Sequence, residues 1–253
     1  MKKITVVGLM LVSALMFSQK VKYSKDQLKE MDNDFFEQSY SGFSTKKNAR
    51  LTLKSGRFVE GRVSDVDHKK MLFNAIEIKD EVTGKKEKFQ ADDIQELYLP
   101  VSNFEKGMRT ANYFTKVNNW QNKNLTSTTN KGESRYLSVN TSIKNKKDSQ
   151  TYLLQLLNPD FSDKIQVFAD PTATETGGVS FGVGPQIGGG VTKSYYLKKG
   201  DQSFWLRKKD FEENYSKLFG DNPEFMKQYP YDSVEWNFFS FLVGKYTEMS
   251  AAK

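Results

Sequence analysis

The residues with the types and spacing for chemistry are few. Between Thr174 and Ser194 the chain reads TETGGVSFGVGPQIGGGVTKS, with glycine at 177, 178, 182, 184, 188, 189 and 190. A phosphate-cradling P-loop needs Gly-Lys-Ser/Thr in register, so that backbone N–H groups and the lysine reach the same oxygens. Here Val191 and Thr192 separate Gly190 from Lys193 and Ser194. A dinucleotide turn needs a strand before it and a helix after it. The next segment here, KSYYLKK, has the character of a strand. The run therefore reads as a loop or irregular hairpin, with glycines where φ must be positive, or as a flap over a binding surface.

His68 is the sole histidine and there is no cysteine. Zinc and related sites draw on several imidazoles or thiolates, so that chemistry is not expected. His68 lies in SDVDHKK beside Asp65 and Asp67. Asp-x-Asp-His could hold a divalent ion or act as a base, but between two strands it reads as a solvated turn. A histidine-based triad would have to use this residue, and no glycine elbow marks a nucleophile. Paired carboxylates remain: Asp92 with Asp93, Asp210 with Glu212 or Glu213, and Asp232 with Glu235. Asp210 and Asp232 suit helix caps, and Glu212 and Glu213 suit a first helical turn. Acid-base hydrolysis from such pairs is the alternative function, placed in a cleft between the two halves of the chain. The other candidates are aromatic. Trp120 stands in a polar stretch, and Tyr195, Tyr196 and Trp205 stand in two strand-like runs; all four are candidate ligand-binding residues. No cofactor or metal is predicted.

The elements that must position these residues are set by periodicity. Residues 1–19 have a secretory leader's layout: Lys2-Lys3, then an uncharged apolar run from Ile4 to Phe17, then Ser18-Gln19. Export to the periplasm or beyond is expected, with no transmembrane segment after cleavage, because the run is short of the roughly 20 residues a span requires. Without cysteine the chain uses no disulfide. Its formal charge of +7 falls to about +5 without the leader. The charge reads as spread among Lys-Asp and Lys-Glu neighbours. Solubility is the direct consequence, and attraction to anionic surfaces or glycans is a further one.

The predicted fold class is α+β. Residues 20–100 are expected to hold a short helix and then a small β-barrel. Ser24 and Gln27 form a capping-box pattern for a helix over about 25–38. From Arg50 the apolar period becomes two, over four to five antiparallel strands with tight turns. Gly61 inside a strand marks a bulge or bend. Residues 101–150, rich in Asn, Ser, Thr and Lys, read as a polar connector with edge strands such as SRYLSV. Residues 151–253 read as a β-meander packed with C-terminal helices. In it Lys199-Gly200-Asp201 signals a hairpin, and helices are expected at about 210–220 and from Asp232 to Met249.

Two stretches carry resemblances. LTLKSGRFVEGRVSDVDHKKMLFNAIEI with ADDIQELYL resembles the Sm-like family of small five-stranded barrels. That family's RNA-binding positions expect an Asn and an Arg-Gly pair. Lys70-Met71 and Asp92-Asp93 stand there instead, so a barrel shape is implied and nucleic-acid binding is not. The C-terminal half is similar to uncharacterised exported proteins of the Bacteroidota, through Val167, Asp170, Pro171, Tyr195, Tyr196, Lys208, Lys209 and Phe211. This resemblance implies localisation and domain limits, and it carries over no activity. The function expected is therefore an exported non-catalytic binding or structural protein of the cell envelope, its partner a protein or glycan there.

Overall fold

Ten strands and four α-helices account for most of the regular structure in the computed structural model, which describes residues 20–40, 42–104, 106–107, 132–176 and 190–251. The leader, Trp120 and residues 177–189 of the glycine run lie outside the described residues. Seven strands form one antiparallel sheet: β1 (Asn48–Leu53), β2 (Phe58–Lys69), β3 (Leu72–Asp80), β4 (Lys86–Gln90), β5 (Ile94–Pro100), β6 (Glu133–Ser142) and β7 (Ser149–Gln155). Their order is β2-β1-β5-β6-β7-β3-β4, and β3 also pairs with β2. Six strands thus close into a ring, with β4 attached outside it. This corrects the expected barrel of four to five strands.

The correction has a physical reason. SRYLSV reads as an edge strand because its polar residues build no core of their own. In the structure β6 pairs with β5 on one side and β7 on the other. Ser134 and Thr141 are buried within it. Membership of the sheet rests on backbone hydrogen bonds, which composition does not report.

The ring is filled. Leu51, Val63, Ile76, Ile78, Ile94 and Leu97 belong to one buried cluster. The alternation along Phe58–Val63, exposed then buried, sends every second side chain of β2 inward. Gly61 lies where β2 is shared, opposite Ala49 of β1 and Asp80 of β3. A Cβ on Gly61 would press into the Lys79 carbonyl oxygen, so only hydrogen fits. Register shifts between Val63 and Asp65 and between Asp67 and His68 then bend β2 around the ring.

A second, three-stranded sheet runs β10 (Gln202–Arg207), β9 (Ser194–Lys199), β8 (Gln166–Ala169). Gly200 takes φ 56° in the turn between β9 and β10. Both faces of this sheet are covered. Tyr195, Leu197 and Val167 pack against the helices, whereas Phe168 and Tyr196 pack against barrel residues Leu72, Val139, Tyr152 and Leu154. The helical layer comprises α2 (Phe211–Phe219), α3 (Pro223–Gln228) and α4 (Phe239–Ala251). Trp236 stacks on Phe239 at 5.1 Å, and both pack around Tyr195. Each such ring contributes roughly 2 kcal/mol by leaving water.

Three helix expectations change in detail. The capping box at Ser24 is present, but α1 (Lys25–Met31) stops seven residues short of the predicted end. Its Met31 and the following Phe36 sit in the core of the helical layer, while Leu28 and Phe35 stay exposed. Asp232 and Glu235 cap no long helix; two 3-10 turns, Tyr231–Ser233 and Trp236–Phe238, precede α4. Asp210 does precede α2, but its carboxylate takes Arg207 instead of the helix N–H groups.

Candidate functional site

Two turns meet at one end of the barrel. The first joins β2 to β3. Lys69 pairs with Leu72, which leaves a two-residue loop of Lys70 and Met71. Both residues adopt left-handed backbone, φ 51° and 70°. A primed hairpin turn requires this, and Asn-Gly is the sequence that meets it with least strain. Lysine and methionine hold these positions here, and Met71 is 52% exposed. This also moves His68, expected in the turn, into strand β2, where it is exposed and its Nδ1 lies 3.4 Å from the Val66 carbonyl oxygen.

The second turn lies between β6 and β7, with Lys144 and Asn145 at φ 52° and 55°. Three hydrogen bonds fix it. The Lys144 N–H donates to the Tyr196 hydroxyl at 3.3 Å. The Asn145 amide donates to the Trp205 carbonyl, and the Trp205 N–H donates back to Asn145 Oδ1, both at 2.8 Å. Asn145 thereby serves as a strand partner for the edge of β10. Ser203 adds a bond from its hydroxyl to the Asn140 carbonyl.

These turns bring lysines together. The Lys70 ammonium is held below its ordinary value by close approach of the like-charged Lys146 side chain, with added repulsion from Lys144 and Lys69. All four are exposed, and no described carboxylate forms an ion pair with any of them. Asp67 pairs with Lys88 at 2.5 Å, and Asp148, two residues after Lys146, is exposed at the end of the second turn.

Trp205 borders this cluster. Lys144 Nζ lies 5.6 Å, and the Arg207 guanidinium 5.0 Å, from its ring centroid. Its indole N–H donates to Asp170 Oδ2 at 2.8 Å. Asp170 is a buried carboxylate, 6% exposed. It also accepts from the Ser194 hydroxyl at 2.7 Å, the Thr172 hydroxyl at 2.7 Å and the Thr172 N–H at 2.8 Å. A buried charge is stable only with such partners. Asp170 thus ties β8, β9 and β10 together at the neck of the glycine run. There Thr176 N–H bonds Val191 O and Gly190 N–H bonds Thr176 O. Gly190 takes φ 75°.

Of the candidate ligand-binding aromatics, Tyr195 and Tyr196 are core residues. Burial pushes both hydroxyls up, that of Tyr196 to about 12. Trp205 is half-buried at the edge of β10. Tyr196 and Trp205 do meet, because each holds the Lys144–Asn145 turn. The acidic candidates are dispersed in role. Asp92 and Asp93 are exposed in the turn before β5, where the Asp93 carbonyl accepts from Lys54 N–H. Glu96 takes Arg135 and the Tyr98 hydroxyl. The hydrogen bonds of Asp170 and Ser194 involve no imidazole. Among the described residues no three His, Asp or Glu side chains gather where they could hold a metal ion. No described helix is long and apolar enough to cross a membrane.

The lysine cluster itself was not legible in the chain order. Lys69-Lys70 and Lys144–Lys147 are separate runs that meet only through the fold. The one signal was the pair of Lys-rich turns, each at a strand end. Comparison with known family models, curated proteins and solved structures gives no match for this chain. The geometry of the site therefore carries the functional reading by itself.

Proposed function

We propose that this chain is an exported, non-catalytic binding protein of the cell envelope whose barrel rim engages an anionic component through Lys69, Lys70, Lys144 and Lys146, with Trp205 beside them. The observation that carries this reading is the gathering of four exposed lysines on two turns whose adjoining residues Leu72 and Ile143 share one buried cluster, with no described carboxylate in an ion pair with any of them. Like charges held this close oppose folding, and an anion between them would remove the repulsion. Two turns in left-handed backbone keep the lysines in place when a glycine-bearing turn would be less strained.

The test is binding of the full-length chain to a soluble polyanion, dextran sulfate, across a range of salt concentration. Affinity should fall steeply as salt rises, as expected for charge-driven association. The K70E/K146E variant should bind at least tenfold more weakly at low salt. Equal binding by the variant, or no salt-sensitive binding by the natural chain, overturns the reading.

A further inference from the structure

Met71 gives the lysine cluster an apolar centre. It stands at the tip of the β2–β3 turn, half exposed, with Lys69 and Lys70 before it in the chain and Lys144 and Lys146 on the neighbouring turn; Leu72 and Ile143, which adjoin the two turns, belong to one buried cluster. A methionine exposed among cations gains nothing from solvent. A polyanion in solution would pair with the lysines and leave its side chain in water. An anionic bilayer uses both features, since its phosphates meet ammonium groups at the depth where an apolar tip leaves water. The turn's chemistry points the same way. Asn-Gly would close this hairpin with less backbone strain, so the Lys-Met pair is retained for a property of its side chains.

We propose that the Lys70–Met71 turn docks the protein onto a membrane surface bearing anionic phosphate headgroups, with Met71 entering the interface and Lys69, Lys70, Lys144 and Lys146 pairing with phosphates. This rests on the anion-binding reading above and names its ligand. Trp205 borders the site but is half-buried and held by Asp170, so it remains with the protein and is not an inserting group.

The experiment is co-sedimentation of the full-length chain with phosphatidylcholine vesicles, with and without phosphatidylglycerol. The quantity read is the ratio of the two affinities, to which the apolar first segment contributes equally in every variant. The natural chain should favour the anionic vesicles. Each lysine near a charged surface accounts for about fivefold, so K70E/K146E, which removes two of them and adds two opposing charges, should cut the ratio by at least about 30-fold. M71S should lower binding to anionic vesicles about fivefold while leaving dextran sulfate binding unchanged. A third variant guards against misfolding. K70N/M71G installs the turn sequence the backbone prefers, so its melting temperature should rise while its preference for anionic vesicles falls.

Binding to dextran sulfate without preference for anionic vesicles would overturn the membrane proposal and leave the anion-binding reading standing. Binding to neither would overturn both. Vesicle binding by M71S equal to that of the natural chain, or tighter binding to a single-stranded oligonucleotide than to vesicles, would also overturn it.

Discussion

Lysine is used in two opposite ways in two regions of this molecule. Lys199, on β9 of the helical layer, donates to the Leu218 carbonyl at 2.7 Å and to Asp221 at 2.8 Å. Its ammonium also lies 4.8 Å from the Tyr246 ring centroid. Tyr246 in turn donates to both oxygens of Asp221. That cation has a carbonyl, a carboxylate and a ring, and it closes the end of α2 against α4. Lys70, on the barrel rim, meets other lysines instead: Lys146 first, with Lys144 and Lys69 beside it. The first arrangement is what folding alone selects, with charge matched and donors satisfied. The second is what the proposed anionic surface would account for. Several lysines gathered against one another, as distinct from single solvated lysines elsewhere on the surface, mark the place to test.

The contrast is broken most strongly at Asp170. Asp170→Ala removes an acceptor from four donors, among them the buried Ser194 hydroxyl and the Trp205 indole. Hydrogen bonds to a charged group and the desolvation of orphaned donors together predict a loss of about 4 kcal/mol. Urea unfolding should show it as a lower midpoint at unchanged slope. K70E/K146E in the same assay should leave the midpoint unchanged or raise it, because repulsion is removed. If both variants destabilise alike, the rim lysines are structural and the distinction between the two regions fails.

Gly61→Ala tests the barrel's own construction. The added methyl meets the Lys79 carbonyl oxygen and the Ile78 side chain at distances no real contact tolerates. β2 must then move away from β3, and overpacking of this kind predicts about 3 kcal/mol of destabilisation. Because β2 carries the Lys70 turn, the vesicle preference should drop with it. Unchanged stability would mean that β2 and β3 do not approach this closely, and would remove the geometric basis for gathering the lysines.

How much of this is legible in the chain depends on how local the signal is. The Ser24–Gln27 capping box, the Gly200-Asp201 hairpin and the alternation of Leu51, Leu53, Val59 and Val63 are short-range patterns, and they stand in the structure as read. The inward face of α4, with Phe241, Leu242 and Tyr246, is equally plain. Ring closure is not, because β6 must travel from a polar stretch to pair with β5 and β7, and nothing in Ser134 or Thr141 announces burial. The site is the least legible of all. The positive charge reads as evenly spread along the chain, and only the meeting of the β2–β3 and β6–β7 turns makes four lysines a cluster. Tyr195 and Tyr196 show the converse. Their aromatic character suggests a ligand surface, yet both faces of β9 are covered.

The smallest effect expected lies in the matched lysine. Burial by itself would raise Asp221, but hydrogen bonds from Lys199 and Tyr246 outweigh it and hold the carboxyl below its ordinary 3.8. A carboxylate depressed by folding adds stability above its unfolded pKa, and that stability is lost as pH falls through the folded value. The Asp221 side chain is 59% exposed, so solvent screening limits the contribution to about 0.5 kcal/mol. Asp221→Asn should therefore cost about that much at neutral pH and nothing once pH has fallen through the depressed folded value, converging with the natural chain as acid is added. Lys199→Met should lower stability further, by roughly 1.5 kcal/mol, because it also leaves the Leu218 carbonyl without its donor. The two losses should not add in the double variant, since both remove the same contact. If they add fully, Lys199 and Asp221 act separately, and the matched region of the molecule is less tightly coupled than its distances imply.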